Sequence, residues 1–381
     1  MKIVIAPDSF KGSLTAAEVA NAIKQGMQPI LPQAEYVLVP MADGGEGTVA
    51  ALTAATAGQF VQEEVVGPLG QNVTATYGLL GNSNTAVIEM AAASGLQYVT
   101  DETHNPLIAT TFGTGQLIIS ALNHGVDQII LGIGGSATND GGAGMAQALG
   151  YQLLDQDNQE LPFGGGQLGK LVRIDTSTVD PRLAQVKVVI ASDVTNPLIG
   201  PTGASYVFGP QKGATPEMVA KLDSNLAHYA AVIKKAMQVD IANLPGTGAA
   251  GGLGGGLLAF TDAKMAQGIK IVIQFSGLQQ KLRGADLVIT GEGGIDYQTK
   301  FGKTPYGVAL AAKQIMPKVP VIALAGNIGL GIAKLYNQDI INAIFATPIG
   351  AEALPAALRN AKRDVMMTAE NIARLIKALV K

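Results

Sequence analysis

Short runs that are apolar at every position alternate with stretches whose apolar residues recur every third or fourth place, at both ends of this chain. Residues 3–6 read as a strand, 8–13 as a polar loop, and 15–27 as a helix with Val19, Ala20 and Ile23 on one face. Thr15 followed by Glu18 three residues later is a capping box at its start. The pattern repeats as strand 36–40, loop 41–47 and helix 48–56. Strands that are apolar on both faces must be covered on both sides, so their alternation with helices predicts a parallel α/β sheet.

The rhythm then changes. Segments 60–66, 72–80 and 85–90 are strand-like and separated by GPLGQ and GNSN, turn sequences that predict antiparallel pairs. Helix 115–123, strand 128–133, a helix near 142–149, strand 186–191, helix 216–237 and a glycine-rich segment at 246–260 follow. The first rhythm returns as strand 285–290, helix 306–316, strands 319–325 and 342–346, and helix over most of 357–380. The expected architecture is therefore two α/β domains. One is a parallel-sheet domain built from 1–60 and 284–381, and the other a mixed domain inserted as 61–283. The expected active site is a cleft between them, at strand C-termini.

Composition narrows the function. With 26 Lys+Arg against 29 Asp+Glu the net charge is −3, which argues against a nucleic-acid binder. No stretch has the length of a membrane span, and the first apolar run stops at Asp8, too short for a signal-peptide core. There is no cysteine, which removes disulfides, thiolate metal sites and cysteine nucleophiles and fits a cytoplasmic protein. Charged residues are only 14% while glycine reaches 48 of 381, so backbone groups are expected to carry much of any ligand recognition.

Four loops concentrate the chemistry: Asp8-Ser9-Phe10-Lys11-Gly12-Ser13, Asp43-Gly44-Gly45-Glu46-Gly47-Thr48, Gly134-Gly135-Ser136-Ala137-Thr138-Asn139-Asp140, and Gly291-Glu292-Gly293-Gly294-Ile295-Asp296 with Lys303 behind it. A loop needs glycine to turn or to let a ligand approach the backbone, but it does not need a carboxylate beside every turn. Glycine pairs beside Asp or Glu at strand ends point to phosphate and Mg²⁺ chemistry, because free N–H groups bind phosphate oxygens and Mg²⁺ takes one or two carboxylates. The bland alternatives are connecting turns and helix caps.

Other signatures are weaker. GIGGSA and GTGAAG fit dinucleotide-binding spacings without a clear acidic partner on a following strand. Tyr297 stands where a P-loop preceding Gly302-Lys303-Thr304 needs glycine. His104, His124 and His228 show no metal-ligand spacing, and His124 reads as a helix-end cap. GLGGGLLAF fits a phosphate cradle and a closely packed helix start equally well. Met366-Met367 reads as helix core, and Arg359, Lys362 and Arg363 as a solvated face.

APDSFKGS, PMADGGEGT, EMAAASGL, LGIGGSATNDGGAGMAQALG, SDVTNPLIGPTGASYVFGPQKGA, PGTGAAGGLGGGLLAF and ADLVITGEGGIDYQTKFGKTPYGVA occur in that order. Together they resemble the bacterial glycerate kinase family from residue 3 to about residue 326. The resemblance implies ATP-dependent phosphorylation of D-glycerate with Mg²⁺, and two α/β domains of which one is flavodoxin-like. It also favours 2-phosphoglycerate as product. D-glycerate 3-kinase activity, a nucleotide- or sugar-phosphate-binding regulator without turnover and a nicotinamide-dependent dehydrogenase stand as alternatives. D-Glycerate and ATP are the expected partners, with no nucleic acid and no membrane, and self-association left open.

On that reading the substrate lies among Asp8, Ser9, Lys11, Asp43, Gly44, Gly45 and Glu46, with Lys11 countering the glycerate carboxylate. ATP falls to Gly134, Gly135, Ser136, Thr138, Asn139, Asp140, Gly291, Glu292 and Lys303. Asp193 and Asp296, each placed after an apolar strand, are the candidates for Mg²⁺ ligand or general base.

Overall fold

The computed structural model describes residues 1–336 and 340–379; Val380, at the end of the expected last helix, lies outside them. The chain forms two compact units, one made of Met1–Gly58 with Gln267–Lys381 and the other of Gln59–Ala266. The return to the first unit thus occurs at Gln267, ahead of the boundary at 284 read from sequence.

In chain order the strands are β1 (Lys2–Ile5) and β2 (Glu35–Leu38) in the first unit. The second unit holds β3 (Gln59–Val66), β4 (Asn72–Leu79), β5 (Thr85–Glu89), β6 (Gln128–Gly132), β7 (Gln152–Leu154), β8 (Arg173–Asp175), β9 (Lys187–Ala191) and β10 (Lys264–Ala266). The first unit then resumes with β11 (Leu287–Ile295), β12 (Val321–Ile328) and β13 (Ala343–Ala346).

The first unit is a wholly parallel sheet in the order β13-β12-β11-β1-β2. Ile3 pairs with Leu287 on one side and with Tyr36 on the other. Counted within the unit alone, the strand order is 2-1-3-4-5, the flavodoxin-like doubly wound arrangement. Helix Ala16–Met27 begins at the Thr15–Glu18 capping box and packs on the C-terminal helix Leu354–Leu379. Their approach requires Gly26, because a Cβ there would lie 2.1 Å from the Met366 carbonyl oxygen. Ile3, Ile5, Leu287 and Ile289 meet Val19, Ile23, Val365 and Ile372 in the core between sheet and helices.

The second unit is built on a mixed sheet, β10-β9-β6-β5-β4-β3. Its β3, β4 and β5 are antiparallel, as their glycine- and asparagine-rich turns predict, and β5, β6, β9 and β10 run parallel. Residues 252–260 are closely packed. Helix Leu253–Phe260 is almost wholly buried, and a Cβ on Gly256 would meet the Gly141 carbonyl oxygen at 2.4 Å. Among the described residues no helix is long and apolar enough to cross a membrane.

The fourth chemistry-bearing segment differs from its expected form. Gly291 to Ile295 is not a loop but the end of β11, paired with β12 as far as Ile295 and Ile328. Glycines let the two strands close on each other here: a Cβ on Gly291 would stand 2.5 Å from the Leu324 carbonyl oxygen.

Candidate active site

In a doubly wound sheet the connections from the two central strands leave in opposite directions, opening a crevice beyond their C-termini. In the first unit that point lies between β1 and β11. A cavity of about 340 Å³ occupies it. Asp8, Ser9, Phe10, Lys11 and Ser13 reach it from the segment after β1, and Asp43 and Glu46 from the segment after β2. Glu292 and Gly294 come from β11, Asn327 from β12, Thr347 from the end of β13, and Leu358 and Asp364 from the C-terminal helix.

Asp8 is anchored on three sides. Its backbone N–H donates to the Gly291 carbonyl at 2.8 Å, its Oδ1 accepts the Ser9 N–H at 2.6 Å, and its Oδ2 accepts the Thr304 hydroxyl. Thr304 opens helix Thr304–Ile315, so Asp8 also faces a helix N-terminus. Burial nonetheless pushes the Asp8 carboxyl up from 3.8 to about 6, with the Thr304 bond pulling against it and the Asp43 charge adding to it.

Glu292 stands on β11 with 8% of its surface exposed. Its Oε1 accepts the Thr299 hydroxyl at 3.1 Å and lies 3.4 Å from Lys303 Nζ. Burial is the largest influence and lifts the carboxyl from 4.5 to about 7; Lys303 opposes this and Asp8 reinforces it. The Thr299 hydroxyl in turn accepts the Asp296 N–H at 3.2 Å. Asp296 therefore supports Glu292 through its backbone, while its own Oδ1 accepts the Gln298 N–H at 2.7 Å and caps the turn Tyr297–Lys300. Asp296 is not among the residues lining the cavity.

The second loop is shaped by glycine. Gly44 and Gly47 have φ of 92° and 89°, and the Asp43 carboxylate accepts the Gly45 N–H at 3.0 Å. Gly268 packs against this loop so tightly that a Cβ would fall 1.9 Å from the Asp43 carbonyl oxygen. Lys11 and Glu46 are exposed at the cavity, whereas Asp8 is buried.

The remaining site residues read from sequence lie in the second unit. Gly134 and Gly135 are exposed after β6, while Ser136, Thr138, Asn139 and Asp140 are buried. Asp140 accepts from the Thr111 N–H and hydroxyl, both at 2.8 Å, and from the N–H groups of Gly142 and Gly144. Burial raises its carboxyl and these four bonds pull it down. Asn139 donates to the Ser205 hydroxyl at 2.8 Å. The buried Lys212 ammonium donates to Ser136 Oγ and to the Thr138 carbonyl, each at 2.6 Å, and burial lowers it from 10.5 to about 7. Thr138 to Asp140 thus hold this loop from within. Asp193 is exposed, two residues beyond β9.

Three contributors were not singled out from sequence. Thr299 and Thr304 hold the two carboxyls, and their place around Gly302-Lys303 was a visible signal. Asp364 carried none: it sits in a charged stretch of the C-terminal helix, yet is 1% exposed and lines the cavity. Its neighbours Arg359, Lys362 and Arg363 are exposed, as expected. His124 does meet a helix-end carbonyl, that of Ser120, at 3.0 Å from its Nδ1.

The sequence profile of the glycerate kinase family matches residues 3–377. The chain is 52% identical to a glycerate kinase of Halalkalibacterium halodurans over 97% of both chains. It is also 52% identical to the glycerate 2-kinase of Escherichia coli K12, over 98% of this chain and 97% of that one. A crystal structure from Salmonella typhimurium LT2 that carries a glycerate kinase 2 name superposes with a TM-score of 0.90. It is 52% identical and covers 99% of this chain and 98% of that one.

Proposed function

We propose, for a chain that belongs to the glycerate kinase family, that it transfers the γ-phosphoryl group of ATP to the 2-hydroxyl of D-glycerate in the cavity at the end of β1 and β11. The chain is a kinase, a phosphotransferase with an alcohol group as acceptor. The observation that carries the site assignment is the pair of buried carboxyls, Asp8 and Glu292, set beside Lys303 and Lys11 in one cavity. The choice of the 2-hydroxyl is supported by the name of the E. coli relative.

Phosphoryl transfer asks a protein chiefly for positioning and charge stabilisation. Glycerate is a small acid with two hydroxyls. Lys11 supplies charge for its carboxylate and the Ser9 hydroxyl a hydrogen-bond donor, while Gly44 and Gly45 shape the loop that presents Asp43 and Glu46. Among the described residues both side-chain contacts of Glu292 fall on Oε1, which leaves Oε2 to take the proton of the attacking hydroxyl. A carboxyl held near 7 is matched to that exchange at neutral pH. Asp8, fixed by Thr304 and Ser9, orients a substrate hydroxyl. Lys303 stands beside Glu292 to meet the transferring phosphoryl oxygens.

Mg²⁺ fits this donor set as an ion carried by ATP. Among the described residues no group of three or more His, Asp or Glu side chains forms a ready-made cage, and Mg²⁺ on a nucleotide needs only one or two carboxylates. Asp296, in the turn after β11 and outside the cavity lining, and Asp193, exposed on the second unit, are our separate candidates to hold it. When bound, the ion screens the phosphate charge. Gly134 and Gly135, exposed on the second unit, offer backbone N–H groups suited to a phosphate.

Incubation with ATP, Mg²⁺ and D-glycerate, followed by ADP detection and phosphorus NMR, tests the reading. 2-Phosphoglycerate is the expected product. Formation of 3-phosphoglycerate would overturn the regiochemistry, and absence of ADP the activity.

A further inference from the structure

The cavity just described sets a problem for the nucleotide. Five carboxylates line it, those of Asp8, Asp43, Glu46, Glu292 and Asp364, against the two ammonium groups of Lys11 and Lys303. That balance tolerates a small, singly charged hydroxy acid met by Lys11 but opposes a polyanion reaching far into it.

A second cavity in the same unit has the opposite character. It measures about 740 Å³, within the range of small-molecule sites, and lies between helix Gly268–Phe275 and helix Thr304–Ile315. No Asp or Glu lines it, while Lys270 and Lys300 do, together with four glutamines. Its apolar wall is formed by Phe301, Tyr306 and Leu310, and Phe301 is 66% exposed. A solvent-facing Phe and Leu flanked by cations, with no carboxylate in the lining, fit a ligand that has a flat apolar body and negative charge. The two cavities are linked covalently. Lys300, Phe301 and Gly302 line the second, and Lys303, the next residue, lines the first and ion-pairs with Glu292.

We infer that this second cavity takes the base and ribose of the nucleotide, and that the segment from Lys300 to Lys303 leads its phosphates toward the carboxylate cavity. Phe301, whose ring is overlain by Lys300 Nζ at 4.8 Å from its centroid, and Tyr306 supply the aromatic wall for the base. The glutamine amides, each both donor and acceptor, meet its polar edge. Lys270 and Lys300 offset the phosphate charge. The inference rests on the kinase reading above, and its test is arranged so that the two can fail separately.

Phe301→Ala and Lys270→Glu are made in the full chain; both residues are exposed, so folding is kept, and circular dichroism verifies it. Loss of a base–aromatic stack is expected to raise the Kd and KM for ATP about 5-fold or more in Phe301→Ala. Lys270→Glu should raise them too, while the KM for glycerate stays within about 2-fold. ATP binding is measured by calorimetry without glycerate, so a chain that bound ATP here but made no ADP would sink the kinase reading alone. 8-Azido-ATP should label peptides within 267–314. Unchanged ATP binding in both variants would overturn the inference. So would label confined to 134–140, or a change of oligomeric mass with ATP binding intact, which would make the groove a self-association surface.

Discussion

Glu292→Gln should make the protein more stable and less active at the same time. The carboxylate is almost fully buried, and its pKa is lifted from 4.5 to about 7. At 1.36 kcal/mol for each tenfold change in the proton equilibrium, the ionised form costs the fold about 3 kcal/mol. Because the folded value lies above the unfolded one, the native chain retains a proton that the unfolded chain has released. Stability therefore falls as pH rises from about 4.5 to about 7, and the cost is complete above that. The amide keeps an acceptor for Thr299, and the half-exposed Lys303 loses a contact worth at most about 1 kcal/mol. A net gain of about 2 kcal/mol remains at pH 8, equivalent to several degrees in the melting temperature, and little at pH 4.5. Turnover should drop by about 100-fold or more, the scale of a lost general base. Thermal melts of both proteins from pH 4.5 to 9, with steady-state rates on the same samples, check both halves. A variant that melts below the wild type at pH 8 by the margin it shows at pH 4.5 would refute the buried-charge reasoning. Near-normal turnover would remove Glu292 from the chemistry.

Lys11→Met should lower kcat/KM for glycerate by about 10- to 150-fold with the KM for ATP little changed, since a charge-assisted contact is worth roughly 1.5–3 kcal/mol; steady-state kinetics with each substrate varied decides it. Asp296→Asn keeps an acceptor for the Gln298 N–H, so it should melt like the wild type. If Asp296 holds the ion, this variant and Asp193→Asn each lose about 100-fold in turnover, and a Mg²⁺ titration shows where the loss falls. Asp140→Ala strands the N–H groups of Thr111, Gly142 and Gly144 and should cost about 3–5 kcal/mol in chemical denaturation.

Much of this was legible in the sequence because the informative segments obey local rules. The Thr15–Glu18 box, the apolar strands and the turns between β3, β4 and β5 each depend on neighbours within a few residues. The rhythm of the chain ends put residues 3–6 and 285–290 in one sheet, where they lie side by side. What escaped depends on partners distant in sequence. GIKIVIQF is rich in β-branched residues, yet forms helix Gly268–Phe275, because Ile269, Ile271 and Val272 are buried in the first unit. GEGGI looks like a loop, but its glycines allow β12 to approach and extend β11. The buried bonds of Asp140 to Thr111 and of Asn139 to Ser205 could be known only from the fold. Asp364 has the sequence context of a surface charge and the position of a cavity wall.

The split construction of the first unit has a consequence for its birth on the ribosome. Ala6 and its hydrogen-bond partner Thr290 are 284 residues apart. At roughly 5–20 residues per second, β1 emerges about 15 to 60 seconds before β11, the strand that must lie beside it. During that interval the complete chain of the second unit has been made and is free to fold on its own contacts. The strand Lys2–Ile5, whose residues Ile3, Val4 and Ile5 are fully buried in the finished protein, must meanwhile wait with one edge unpaired. The cavity at the end of β1 and β11 cannot be complete until Glu292 and, later still, Asp364 have been made.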